Sequence, residues 1–180
     1  FPNPQTGSYF QVSRSSYQSV NVNSFPSCMV KVPKLAYHSA DFTFTVELPN
    51  NSKGYTASYQ TCCRITPIDN TSGGSRGEGS TFSCLIPPKP DNSPVFDATI
   101  DAVCGGKQFD LQFSAKDLDG DSLSYAFEGA YNGGSANDAK NFNPSPPPYS
   151  FINYRGNYSA LEPLGPKASI DPRTGTISGI

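Results

Sequence analysis

Asp117-Leu-Asp-Gly-Asp-Ser-Leu-Ser-Tyr125 follows the alternating run Phe109-Asp-Leu-Gln-Phe-Ser-Ala115. The run places Phe109, Leu111, Phe113 and Ala115 on one side and polar groups on the other, the period of a half-buried strand. Beyond the turn, Leu123, Tyr125 and Phe127 resume that period, so Ser122 to Phe127 reads as the next strand. Between them, Asp117, Asp119 and Asp121 recur at every second position around Gly120. Asp and Gly favour tight turns without any ion. Three carboxylates beside the single charge of Lys116 repel one another unless neutralised. A hard cation such as calcium, which takes several oxygen ligands, meets that need. Asp91 and Asn92, in the linker ahead of this region, are the natural further ligands for such an ion.

An EF-hand is excluded by two features. The glycine required at its sixth position is Ser122. Glu128, which would close the loop, lies along a strand, roughly 20 Å or more from Asp121 at about 3.3 Å per residue.

Working outward, composition agrees with a β-rich chain. The 180 residues include 16 Gly and 17 Pro, too many for a helical protein, and 36% are apolar. Ten Tyr and twelve Phe, in short alternating segments, argue against disorder outside local loops. The expected class is all-β, with β-sandwich modules in tandem. Formal net charge is -2 and basic blocks are short, so no nucleic-acid footprint is visible. No apolar run reaches the length of a membrane span. The first residues, Phe-Pro-Asn-Pro, do not read as a signal peptide, and the segment is expected to be a mature or excised slice of a longer protein.

Asp41-Phe-Thr-Phe-Thr-Val-Glu-Leu48 is the strongest alternating stretch. It is expected to turn at Pro49 to Gly54 and pair in a hairpin with Tyr55 to Ile65, whose Tyr55, Ala57, Tyr59 and Cys63 share a face. Thr81 to Ile86 is a further strand. Residues 8 to 22 supply one or two more, and Thr71 to Ser80 is a loop. Pro87-Pro-Lys-Pro-Asp-Asn-Ser-Pro94 is stiff and poor in apolar residues, which predicts a boundary. A disulfide-bearing β-sandwich module is expected over 1–90 and a second module over 91–180. Residues 129 to 150 form a long Gly-, Asn- and Pro-rich excursion. Ala168 to Ser178 reads as strand, Asp-Pro turn and strand.

Five cysteines, Cys28, Cys62, Cys63, Cys84 and Cys104, include no C-x-x-C pair, and His38 is the only histidine. Zinc is disfavoured on this spacing. Disulfides in an oxidising compartment are the better reading, with one thiol left over and the pairing open. Adjacent Cys62 and Cys63 are expected to tie to different places, because bonding each other strains the backbone between them. His38 beside Ser39 has no Gly-x-Ser-x-Gly elbow to serve, so an enzyme is disfavoured. Tyr131, Tyr149, Tyr154 and Tyr158, in loops, are candidate ligand contacts that would stack on sugar rings, although the chain has no Trp. Asn50, Asn70 and Asn157 begin Asn-x-Ser sequons.

Asp91-Asn-Ser-Pro-Val-Phe96, Ser114 to Tyr125, and Ser169-Ile-Asp-Pro-Arg-Thr-Gly-Thr-Ile177 resemble, in order and spacing, the signatures of cadherin-like modules. Tyr59-Gln-Thr-Cys-Cys-Arg64, Pro146-Pro-Pro-Tyr149 and Tyr158-Ser-Ala-Leu-Glu-Pro-Leu-Gly165 extend the resemblance to very large surface proteins of Bacteroidetes, gliding-motility adhesins of the type IX secretion system among them. Asp121-Ser-Leu123 also resembles the O-glycosylation motif of that phylum.

The resemblance implies tandem Ig-like or cadherin-like sandwiches, the second incomplete at its C-terminal end. It implies a non-catalytic adhesin segment for attachment or gliding, displayed outside the outer membrane. Calcium is expected at Asp117, Asp119 and Asp121. The partners expected are a surface glycan or protein and the neighbouring modules of one long chain. The alternative is a carbohydrate-binding region of a secreted polysaccharide-degrading enzyme. The family often has a cysteine just after the Leu-x-Tyr strand; here Phe127 and Glu128 stand there, which leaves the pairing of Cys104 open.

Overall fold

The computed structural model describes residues 12–20, 25–31, 37–62, 64, 68–72, 78–97, 101–133 and 147–180. Among them the chain is all-β, with small antiparallel sheets and no helix. Strands β1 (Ser16–Val20) and β2 (Tyr37–Asp41) form one pair, and β3 (Tyr55–Thr61) and β4 (Ser80–Ile86) a second. β5 (Val95–Phe96) pairs with β7 (Ala115–Lys116), while β6 (Phe109–Gln112), β9 (Thr176–Gly179) and β8 (Ser169–Ile170) make a three-stranded sheet in that order.

The hairpin expected between Asp41–Leu48 and Tyr55–Ile65 is not formed. Only Asp41 of the first segment is in a strand, and it opposes Ser16. β3 runs instead in register with β4, from Tyr55 opposite Ile86 to Thr61 opposite Ser80. Alternation marks which face of a segment is apolar, but a strand also needs a hydrogen-bonding partner. β4 offers β3 seven in-register residues, with Tyr59 and Phe82 directly opposite and their rings 6.4 Å apart. Cross-strand aromatic pairs of this kind favour one register over its neighbours.

The turn at Pro49 to Gly54 does form. Asn51 Oδ1 accepts the Lys53 N–H at 3.0 Å, and the Asn51 side-chain amide donates to the Gly54 carbonyl at 3.0 Å. Gly54 has φ +70°, and a Cβ there would meet the Ile86 carbonyl oxygen at 2.2 Å, so only glycine leads the chain into β3 beside the end of β4.

The expected strand–turn–strand at Ala168 to Ser178 is present as β8 and β9. Asp171 Oδ1 accepts the N–H groups of Arg173 and Thr174, both at 2.8 Å, and the Thr174 bond chiefly holds its carboxyl below the usual range.

Buried apolar side chains among the described residues are few: Ala57 and Ile152. The buried polar and charged side chains are Gln60, Thr71, Glu78 and Thr81. Thr71, Glu78 and Thr81, with Gly79 and Arg64, knit the first half of the chain to the second. Gly79 N–H donates to Asn132 Oδ1 at 2.7 Å, and Thr81 Oγ1 to the Asn132 carbonyl at 2.7 Å. Arg64 reaches the carbonyls of Gly79 at 2.9 Å and Tyr131 at 3.2 Å. Thr71 bridges Tyr154, and the Arg155 side chain donates to the Asp69 carbonyl at 2.7 Å. Backbone bonds and the Cys28–Cys104 disulfide therefore cross the Pro-rich segment at residue 90.

Candidate functional site

The acidic turn folds by local capping. Asp117 Oδ1 accepts the N–H groups of Asp119 at 2.9 Å and Asp121 at 3.0 Å. Gly120, with φ +82°, carries the chain round between them. The linker then docks onto the turn. Asn92 donates its backbone N–H to Asp119 Oδ2 at 2.6 Å and its side-chain amide to Asp119 Oδ1 at 2.9 Å. The structure thus brings together Asp91, Asn92, Asp117, Asp119 and Asp121, the residues predicted from sequence.

Their electrostatics differ by position. Asp119 is held below the usual carboxylate range, first by the Asn92 backbone N–H and then by its side chain. Asp91 is pushed above that range by loss of water around it and then by the charges of Asp121, Asp119 and Asp117, with a hydrogen bond between the Asp91 and Asp119 carboxyls adding to the shift. Four carboxylates thus lie within electrostatic reach of one another at the surface, where salt screens them.

The charge of this cluster suits a hard cation; the placement of its oxygens does not form a ligand shell. Both Asp119 oxygens are engaged by Asn92, and Asp117 Oδ1 is engaged by two backbone amides. Among the described residues no group of three His, Cys, Asp or Glu side chains is arranged to hold a metal ion.

Cys28 bonds Cys104, with 6.1 Å between the Cα atoms. Cys62 is also disulfide-bonded. Cys84, on β4, is a free and exposed thiol, and Cys63 lies outside the described residues.

Of the four candidate tyrosines, two are in ring contact. Tyr131 and Tyr149 meet edge to face at 5.5 Å, and Phe151 stacks on the Tyr131 ring at 5.0 Å. Tyr154 turns its hydroxyl to the Ala130 N–H at 3.3 Å. Tyr158 lies in a separate turn, its N–H donated to the Arg155 carbonyl at 3.2 Å. All four are half-buried, and Tyr131 uses its ring for internal packing. His38 stacks on Tyr17 at 4.7 Å, opposite Ser19 of β1.

One residue that composition and spacing did not single out is Glu78. It is only 4% exposed, its Oε1 accepts the Asn153 N–H at 3.1 Å, and its Oε2 has no hydrogen-bond partner. It lies in a Gly- and Ser-rich stretch with no periodicity to mark burial. The readable signal was its neighbour. Gly79 packs so closely on residue 133 that a Cβ would fall 1.3 Å from the Gly133 carbonyl oxygen.

No helix among the described residues is long and apolar enough to cross a membrane. Comparison with protein-family models, with curated proteins and with solved structures finds no match to this chain.

Proposed function

We propose that this chain is a non-catalytic segment of a bacterial cell-surface adhesin, built from Ig-like or cadherin-like sandwich modules and stiffened for attachment or gliding. The observation that carries the reading is the docking of the linker onto the acidic turn, through the Asn92–Asp119 hydrogen bonds. A junction clamped in this way resists bending, which is what a surface stalk requires. The Cys28–Cys104 disulfide supports the same reading, since such bonds persist outside the reducing cytosol. The partners proposed are a surface glycan or protein and neighbouring modules of one long chain.

Calcium belongs to this proposal. The convergence of Asp91, Asp117, Asp119 and Asp121 supports it, because an ion would relieve the repulsion that, after loss of water, raises Asp91. Calcium binding there requires Asp119 to give up at least part of its bonding to Asn92.

Isothermal titration of calcium into the wild-type chain and into Asp119→Asn tests the metal. Heat in the wild type and a much weaker response in the variant is the expected result. No heat and no change in melting temperature in the wild type removes calcium from the proposal. Adhesion is tested separately, by binding of the labelled chain to protein-coated surfaces and to a glycan array. Binding confined to polysaccharides of one class would favour the carbohydrate-binding alternative, and no binding to any surface would overturn the adhesin reading.

A further inference from the structure

Residues 122 to 128 form neither turn nor bend, and their burial alternates: Leu123, Tyr125 and Phe127 are half-buried, while Ser122, Ser124, Ala126 and Glu128 are exposed. This is the period of a strand in a sheet. The segment nevertheless belongs to no sheet. Its one backbone hydrogen bond to a described residue is from Tyr125 N–H to the Pro172 carbonyl, at 3.0 Å.

In an extended chain, successive residues point their N–H and C=O groups to opposite edges. The Pro172 contact therefore identifies the edge used by Leu123, Tyr125 and Phe127. The opposite edge presents the backbone groups of Ser122, Ser124, Ala126 and Glu128, which have no hydrogen-bond partner among the described residues. The strand is also held in place without its edge being used. The Tyr125 hydroxyl accepts the Ala115 N–H at 2.9 Å and so fixes the middle of the segment against β7. A preformed strand with an open row of donors and acceptors is a template for another strand.

We infer that this edge pairs with the same edge of a second copy of the chain, antiparallel and centred on Tyr125. The sequence is complementary to itself in that register. Ser124 lies opposite Ala126 of the second copy and Ser122 opposite its Glu128, and these exposed residues supply the hydrogen-bonded pairs. Leu123 lies opposite Phe127 of the second copy, and the two Tyr125 residues face each other, so the half-buried apolar row continues across the junction. No like charges meet, since Glu128 opposes a serine and Asp121 opposes Gly129. The partner's chemistry is thus an extended strand with apolar residues at alternate positions and neutral residues between them.

Sedimentation velocity over a concentration series tests this, with two double variants at exposed positions. Ser124→Glu with Ala126→Glu places two like-charge pairs across the junction. Ser124→Lys with Ala126→Glu places two opposite-charge pairs there. The expected result is a reversible dimer in the wild type. The Glu/Glu variant should dimerise roughly two- to thirtyfold more weakly, and the Lys/Glu variant at least as tightly as the wild type. Unchanged circular dichroism and melting temperature, measured under monomeric conditions, would show that both variants fold. A wild type that stays monomeric throughout overturns the inference, as does a dimer whose affinity is the same in both variants.

Discussion

Asn92 grips Asp119 with both of its N–H groups, the backbone amide at 2.6 Å from one carboxylate oxygen and the side-chain amide at 2.9 Å from the other. The two residues are 27 positions apart, so this contact fastens the Pro-rich linker to the acidic turn. Hydrogen bonds to the charged form of a carboxylate lower its pKa, and Asp119 accordingly sits below its ordinary value of 3.8.

Replacing Asn92 with alanine removes the side-chain donor and leaves the backbone one. The Asp119 carboxyl resonance, followed by NMR against pH, should titrate higher in Asn92→Ala than in the wild type. The sign for stability follows from the lowered value. The contribution is complete above the ordinary carboxylate range and is lost as pH falls through the folded-state pKa. Thermal stability of the wild type should therefore drop more steeply on acidification than that of the variant.

Asp91 shows the opposite behaviour. Its carboxyl is raised, so its charged form is disfavoured in the folded chain and costs stability above the folded pKa. Asp91→Asn should melt at a higher temperature than the wild type at neutral pH and low salt. The gain should shrink as salt screens Asp117, Asp119 and Asp121, and it should vanish at a pH where Asp91 is protonated in both states. An unchanged melting temperature at low salt would show that the four carboxylates do not repel in solution.

The Cys28–Cys104 bond closes a loop of 76 residues. On the chain-entropy model a loop of that size confers about 4 kcal/mol. Chemical denaturation of the Cys28→Ser, Cys104→Ser double variant should show a loss of that order. Calcium titration of the same variant should be unaffected if the acidic turn forms by local capping alone.

Glu78 accepts the Asn153 N–H from a buried position. Glu78→Ala leaves that donor without a partner, a loss of about 1–3 kcal/mol in denaturant unfolding. Glu78→Gln retains an oxygen at the same place and should lose less. Equal losses in the two variants would show that the carboxylate charge, and not its hydrogen bond, holds the knot together.

Features set by a few neighbouring residues were legible in the sequence. Pro49 to Gly54, the Asp171-Pro172 turn, and Asp117 with Gly120 each predict a turn, and each turn forms, because the side-chain acceptor and the donors it serves lie within four residues. The alternation at Leu123, Tyr125 and Phe127 likewise predicts the face that is half-buried. The sequence names Asp91 and Asn92 beside the three aspartates as ligands of one ion, whereas the link the structure shows between the two segments is the pair of hydrogen bonds from Asn92 to Asp119.

Pairing across the chain was not legible. Asp41 to Leu48 alternates more clearly than Ser80 to Ile86, yet β3 pairs with the latter, because backbone hydrogen bonding ranks partners by access and register rather than by pattern. Nothing in the spacing of five cysteines selects Cys28 for Cys104 and leaves Cys84 free; only the path of the chain brings the first two Cα atoms to 6.1 Å. Glu78 reads as a loop acid and becomes a buried hub because Asn132, Gly133 and Asn153 close over its segment from more than fifty residues away. The sequence alone thus determined the all-β class, the turns and the composition of the acidic cluster, all of which depend on local propensity and charge. Tertiary structure decided which strands pair, which thiols bond and which polar groups lose their water, because each of those outcomes depends on contacts between residues distant in the chain.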